Sequence, residues 1–150
     1  MKAISVQQPY ADWIVDGKKA VENRTWPCDY RGLLLIHASK TKRMAYEIGD
    51  GNVKRRVYGA IVGWVTLFDC LHIDLLRQEL TAGSQLLNRW ITRLNEHHIE
   101  GPFCWCMSEP RRFLKPIPYR GRLGLFDVPD ELLTPDVVNS DLPLFGGGKA

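Results

Sequence analysis

Apolar positions along the chain fall into short blocks separated by glycine, proline and charge, and the spacing within each block predicts its conformation. Residues 2–7 read as a strand of mixed polarity that stops before Gln8 and Pro9. Pro9 suits the first turn of a helix and Gly17 its end, and between them Tyr10, Trp13 and Ile14 share a face. That face makes Trp13 a core anchor and leaves Tyr10 able to place its hydroxyl at the rim of a cleft. Residues 33–37 are a dense apolar run, hence a buried strand, and Ser39 is a candidate cap for a helix that ends near Gly49 and Gly51. Residues 57–70 carry the longest strand signal. Gly59 and Gly63 within it mark a bend or bulge, and Asp69 ends it at a surface turn while offering a second carboxylate to a cleft.

Beyond that strand the period changes. Leu86, Leu87, Trp90, Ile91 and Leu94 recur at three and four, which predicts a helix across residues 74–98 packed on the sheet by this face, with His97 and His98 at an exposed end. Residues 103–107 and 111–117 read as two strands separated by a turn at Ser108, Glu109 and Pro110, and Pro116 and Pro118 put the second at a rim. Residues 124–128 read as a closing strand and residues 129–133 as at most a short helix. Residues 134–150, with their prolines and the run Gly146, Gly147 and Gly148, read as a tail with little structure of its own. The pattern predicts an α+β fold in one domain over residues 1–133, the usual outcome for a chain of 150 residues.

Composition changes this picture little. A hydrophobic fraction of 45% and a charged fraction of 25% are those of a globular protein. The net charge of +3 is unevenly spread: residues 1–70 hold 11 Lys/Arg against 7 Asp/Glu, whereas residues 71–110 hold 3 against 5. The excess permits a polyanionic partner without requiring one. No apolar run reaches the ~20 residues that a bilayer requires, so no membrane association is expected and the location expected is cytoplasmic. Cys28, Cys70, Cys104 and Cys106 are then expected as reduced, structural thiols. No metal-ligand spacing, phosphate-binding glycine loop or dinucleotide fingerprint is present, so neither a metal nor a cofactor is expected.

Two charge clusters are candidates for chemistry. The first follows Gly17 and holds Lys19, Glu22 and Arg24 just before the aromatic Trp26. These residues are either solvated charges or a set in which Glu22 holds a cation in place for an anionic or polar ligand. Trp26 either stacks on a base or caps the sheet. The second cluster, Lys54, Arg55 and Arg56, is either a solvated loop or a phosphate-backbone contact whose loss would weaken binding and its salt dependence.

The octet beginning at Gly17 fits the pattern GxKxxExR, with Gly17, Lys19, Glu22 and Arg24 in the fixed places, and it resembles the signature of the ASCH domain. Ser5 to Trp13 resemble that family's opening strand and helix, Arg31 to Ala38 its second strand, and Pro116 to Gly121 with Gly124 to Phe126 its closing strands. The resemblance implies a PUA-like β-barrel with flanking helices and an RNA-binding or nucleic-acid-processing role centred on the cleft that holds the motif. In that role the partner is single-stranded RNA, another nucleic acid or a nucleotide. Lys19 and Arg24 would engage phosphate or carbonyl oxygens, Glu22 would orient a cation or accept from a base amine, and Tyr10 or Trp26 would stack. The alternative is a small hydrolase, of the ribonuclease or acetylcytidine amidohydrolase type, with Lys19 and Glu22 catalytic. Amidohydrolase relatives use a lysine, a threonine and a glutamate, and this chain has Glu22 where the threonine would stand. A third reading makes the residues from Thr134 onward the contact for a partner.

Overall fold

The computed structural model describes residues 1–138. Strands β1 (Lys2–Val6), β2 (Val21–Arg24), β3 (Gly32–Ala38), β4 (Ala60–His72), β5 (Phe103–Pro118) and β6 (Leu125–Asp127) form one sheet in the order β2-β5-β4-β3-β1-β6. β1 and β3 are parallel and the other neighbours antiparallel. The sheet curls into a half-barrel whose edges are β2 and β6, and helices flank it.

Alternation along the strands sorts the core into layers. Ile4, Val6, Leu34 and Ile36 meet Ala11, Ile14 and Val15 from helix α1 (Tyr10–Val15), whereas Ala3, Leu35, Ile61, Trp64, Phe113 and Phe126 pack on the other side. β3 is covered on both faces, which is why its sequence is an unbroken apolar run. Leu34, Leu35 and Ile36 are fully buried, and each such side chain contributes about 1.5 to 3 kcal/mol. Val21, Leu76, Leu87, Ile91, Cys104 and Cys106 form a third cluster that ties the later helices to the β2 edge. The four cysteines are free thiols, and burial pushes the Cys70, Cys104 and Cys106 thiols up.

Four expectations change. β5 does not break at Ser108, Glu109 and Pro110 but runs through 16 residues. Its long pairing with β4 is kept in step by three register shifts, and Glu109 takes a positive φ of 50°, so bulges absorb what the turn residues signalled. Gly63 lies at one of these shifts, where a Cβ would stand 2.1 Å from the Arg111 carbonyl oxygen, so only glycine fits. The helix predicted over residues 74–98 is divided at Gly83, whose φ of +85° ends α3 (Ile73–Thr81) before α4 (Gln85–Trp90) and a 3-10 turn (Arg93–His98). Leu87 and Ile91 are buried as predicted, but the break turns Leu86 and Leu94 to solvent.

The helix expected after Ser39 is a short one, α2 (Arg43–Glu47), because Ser39 Oγ accepts from Thr41 N within its own turn. Residues 134–138 pack on the domain: Leu114 N donates to the Val137 carbonyl at 2.9 Å, and Val138 is buried beside Phe113. The rest of the predicted tail, with Gly146, Gly147 and Gly148, lies outside the described residues. Among the described residues no helix is long and apolar enough to cross a membrane.

Candidate functional site

The turn after α1 decides where the motif side chains go. Gly17 takes a φ of +78°, and the next two amides, Lys18 N and Lys19 N, both donate to the Trp13 carbonyl, at 2.8 and 3.1 Å. The chain is still turning at Lys19, so its side chain reaches the face that Glu22 occupies on β2 despite the odd spacing. Lys19 is only 5% exposed. Its Nζ donates to the Val21 carbonyl and to Glu22 Oε1, the latter at 3.2 Å, which leaves one ammonium proton for a ligand. Glu22 Oε2 accepts from Arg24 Nη2 at 3.1 Å, and Asn23 N donates to Oε1 at 3.1 Å. Burial by itself would raise the Glu22 pKa, but Lys19 and Arg24 outweigh it and hold the carboxyl below the usual carboxylate range.

Lys19, Glu22 and Asn23 form one wall of a cavity of about 600 Å³. Tyr10 and Trp13 of α1 form a second wall, and Met44, Ile48 and the loop through Asp50 a third. His97, His98 and Glu100 close it. The aromatic groups make a continuous ladder. Lys19 Nζ lies 5.5 Å from the Tyr10 ring centre, Tyr10 meets Trp13 edge to face at 5.5 Å, Trp13 lies 6.0 Å from His98, and His98 lies 3.9 Å from His97. The charged lining consists of one ammonium and three carboxylates, of Glu22, Asp50 and Glu100. Glu22 and Asp50 are themselves paired with Arg24 and Arg56 behind the wall, so the lining is close to neutral, holds no surplus cation for a phosphate, and suits a neutral, planar group with both acceptor and donor edges.

His98 is 8% exposed, and its Nδ1 has no hydrogen-bond partner among the described residues. Burial, then the neighbouring His97 and Lys19 charges, push its pKa down from 6.5 to about 4, so the ring is neutral at physiological pH. The folded value lies below the unfolded one. Stability that is full above 6.5 is therefore lost as pH falls toward 4, because the unfolded chain takes up the proton first. A dry site would lose roughly 3 kcal/mol this way, and for a ring facing an open cavity we expect about 1 to 2 kcal/mol. Urea unfolding between neutral and mildly acid pH measures the loss. His98→Gln should flatten that slope, and an unchanged slope in the variant would reject the assignment.

The structure gathers some of the residues singled out in the sequence and scatters others. Tyr10, Lys19 and Glu22 share the cavity. Arg24 stands behind the wall, bonded to Glu22 and to the Ser5 carbonyl at 2.7 Å, so it supports the site without lining it. Trp26 packs edge to face on Trp105 at 4.8 Å against the core, half-buried and outside the cavity. Lys54 and Arg55 are exposed and line a second depression that shares Gly49, Asp50 and Gly51 with the cavity. Arg56 is no backbone ligand: it is 13% exposed, bonds Asp50, and reaches Asp12 Oδ2 at 2.5 Å. Asp69 belongs to β4 and pairs with Arg31 at 3.4 Å, away from the cavity.

Trp13, His97, His98 and Glu100 are the site residues that sequence reasoning missed. Trp13 shared a helical face with the buried Ile14, and the histidines read as a helix end. The available signal was the Gly101, Pro102 turn just before β5, whose first residue Phe103 pairs with Arg24. That pairing carries the segment ending at His98 back beside the motif, where Asn23 Nδ2 donates to the His98 carbonyl at 2.7 Å.

The half-barrel holds the GxKxxExR octet at the end of α1, with its lysine and glutamate in a cavity, and its architecture is PUA-like. The family model for the ASCH domain matches residues 4–117, and the chain belongs to that family. It is 26% identical over 131 residues to Activating signal cointegrator 1 of Homo sapiens and 28% identical over 95 residues to that of Mus musculus. The human match covers 79% of this chain and 20% of the relative, the mouse match 55% and 16%, so the chain spans about a fifth of the length of these relatives. The crystal structure of ASCH from Zymomonas mobilis superposes with a TM-score of 0.52 at 15% identity, covering 87% of this chain and 88% of that one. A variant of the same protein gives 0.51 over 87% and 91%. These structures share the fold.

Proposed function

We propose that this chain is a nucleic-acid-binding module that seats one unpaired base of single-stranded RNA in the Lys19 and Glu22 cavity. The observation that carries the reading is the pairing, in one cavity of about 600 Å³, of an aromatic wall with a fixed ammonium and fixed carboxylates. Tyr10 and Trp13 offer faces for stacking, the free Lys19 proton suits a base carbonyl, and Glu22 or Glu100 suits a base amine. Cytosine and guanine carry both groups on one edge. A lining with no surplus cation supports a base inside and phosphates outside. Trp13→Ala is therefore expected to lower affinity for an oligocytidylate about tenfold, within the range that loss of a base-stacking platform produces. Fluorescence anisotropy measures it, and an affinity indifferent to this change would remove the cavity from the binding surface.

A second reading, a hydrolase acting on RNA or on an acetylated nucleoside, is favoured by one observation: a neutral His98 with an unpartnered Nδ1 beside Lys19. In that reading His98 is better placed than Glu22 to accept a proton, since its Nδ1 is unpartnered whereas both Glu22 oxygens are already engaged by Lys19, Asn23 N and Arg24. Product from either substrate with the unaltered protein is what this reading requires. Both readings suit a cytoplasmic protein, as fractionation of cells would test.

A further inference from the structure

A second groove, of about 930 Å³, shares no lining residue with the cavity. Its floor is Ser5 of β1 and His37 of β3, which face each other in register. Ser5 Oγ lies 2.9 Å from His37 Nδ1, and His37 Nε2 lies 2.7 Å from the Tyr119 carbonyl oxygen. Burial lowers the His37 pKa and favours the neutral ring. The network then assigns Nε2–H as donor to Tyr119 and Nδ1 as acceptor from the Ser5 hydroxyl. The floor is neutral and satisfied, so the charge of the groove comes from its rim.

Three cations form that rim: Lys40, Arg120 and Arg122. Close backbone approach holds them there. A Cβ on Gly121 would stand 2.5 Å from Ser5 Oγ and 2.6 Å from His37 Cε1, so the chain between the two arginines is pressed onto the floor. Gly59, at a φ of +67°, leaves room for the Lys40 stem, whose Cγ would lie 2.9 Å from a Cβ there. None of the three makes an ion pair among the described residues, whereas Lys2, Arg24, Arg31, Arg56 and Arg112 all do. No acidic residue lines the groove, in contrast to the three carboxylates of the cavity. Leu123 beside the arginines is 99% exposed and adds an apolar surface at the groove's edge.

We propose that this groove binds the phosphodiester backbone of a single-stranded nucleic acid, with Lys40, Arg120 and Arg122 as its phosphate ligands. Two guanidinium groups match phosphate oxygens by their fork geometry, and a recessed floor admits a chain better than it meets the flat surface of a bilayer. The choice of nucleic acid among polyanions rests on the function proposed above; the anion site itself does not. The two surfaces divide the work. The cavity takes a base and excludes phosphate, and the groove takes phosphate and is indifferent to the base.

The test titrates the full chain with a labelled oligocytidylate and with an abasic strand of equal length, over a range of salt concentrations. The combined variant Lys40→Gln, Arg120→Gln, Arg122→Gln alters exposed side chains, and its circular dichroism should match that of the unaltered protein. It is expected to bind both strands about tenfold more weakly or worse. The slope of log affinity against log salt should fall by roughly 2, from about 0.7 per phosphate contact. Abasic-strand affinity equal in the two proteins, or absent in the unaltered one, would overturn the proposal. Retention on phosphatidylserine vesicles that depends on the three cations, without binding of either strand, would also overturn it and assign the groove to a membrane surface. If the unaltered protein binds both strands alike and Trp13→Ala changes neither, the cavity reading fails and the groove stands.

Discussion

Glu22→Gln is expected to lower the unfolding free energy by about 3 kcal/mol, the lower end of the cost of removing one partner from a buried charge cluster. Both Glu22 oxygens are engaged, one by Lys19 and Asn23 N and the other by Arg24. Gln keeps the size and one acceptor but turns an amide donor toward one of the two cations, while Lys19 retains the Val21 carbonyl and Arg24 the Ser5 carbonyl. The variant should also respond differently to acid. With its folded pKa depressed, Glu22 contributes stability above the ordinary carboxylate range that is lost as pH falls through the folded value, and Gln lacks that term. This window lies below the one in which His98 acts, so urea midpoints across the acid range separate the two. An unchanged midpoint at neutral pH would refute the buried, paired carboxylate. Under folding conditions, oligocytidylate affinity should fall by about 1 to 3 kcal/mol, the value of one charge-assisted contact. Should the unaltered protein prove to hydrolyse RNA or acetylated cytidine, turnover should survive the change in large part. A loss of ~100-fold or more at full folding would instead identify Glu22 as the base.

Arg56→Met is expected to cost about 2 to 4 kcal/mol, because it strands Asp12 and Asp50 in a nearly dry contact. Asp12 keeps a partner in Arg112 at 3.1 Å, which limits the loss, but Asp50 has no other cation among the described residues. Arg56 draws the loop that carries Asp50 against α1, and this loop is a wall of the cavity, so base binding should weaken with stability. Lys54→Gln and Arg55→Gln, in the same basic run, should leave stability within about 0.5 kcal/mol as ordinary surface changes do. Thermal or urea unfolding of the three variants distinguishes an ion-paired tie from a phosphate ligand. Full stability of Arg56→Met with a loss confined to salt-dependent binding would restore the ligand reading.

Lys54, Arg55 and Arg56 also mark the limit of what one dimension carries. Three adjacent cations look alike in sequence, and which of them meets carboxylates depends on the fold of the loop that holds Asp50 and on Asp12, which is 44 residues away. Trp13, expected as a core anchor, lines the cavity, and Trp26, open to two readings, packs on the sheet, for the same reason. Both are aromatic beside a turn, but Trp105 arrives from β5 to cover Trp26, whereas Trp13 faces a space that His98 only partly fills.

By itself the sequence determined the elements whose causes are local. Pro9 and Gly17 bound α1, the dense apolar run made β3, glycine at Gly63 permitted the bulge in β4, and the octet pointed to the family. Tertiary structure decided what depends on partners distant in the chain. It carried β5 through a turn signal because β4 offered a ladder on which bulges could be spent. It folded His97 and His98 into the cavity, left Arg24 behind the wall, and divided the cations into those neutralised by buried carboxylates and those left at the rim of a groove. Side-chain charge is written in the sequence, but solvation and pairing set its energetic value, and these exist only once strands far apart in the chain, such as β2 and β5, have been brought together.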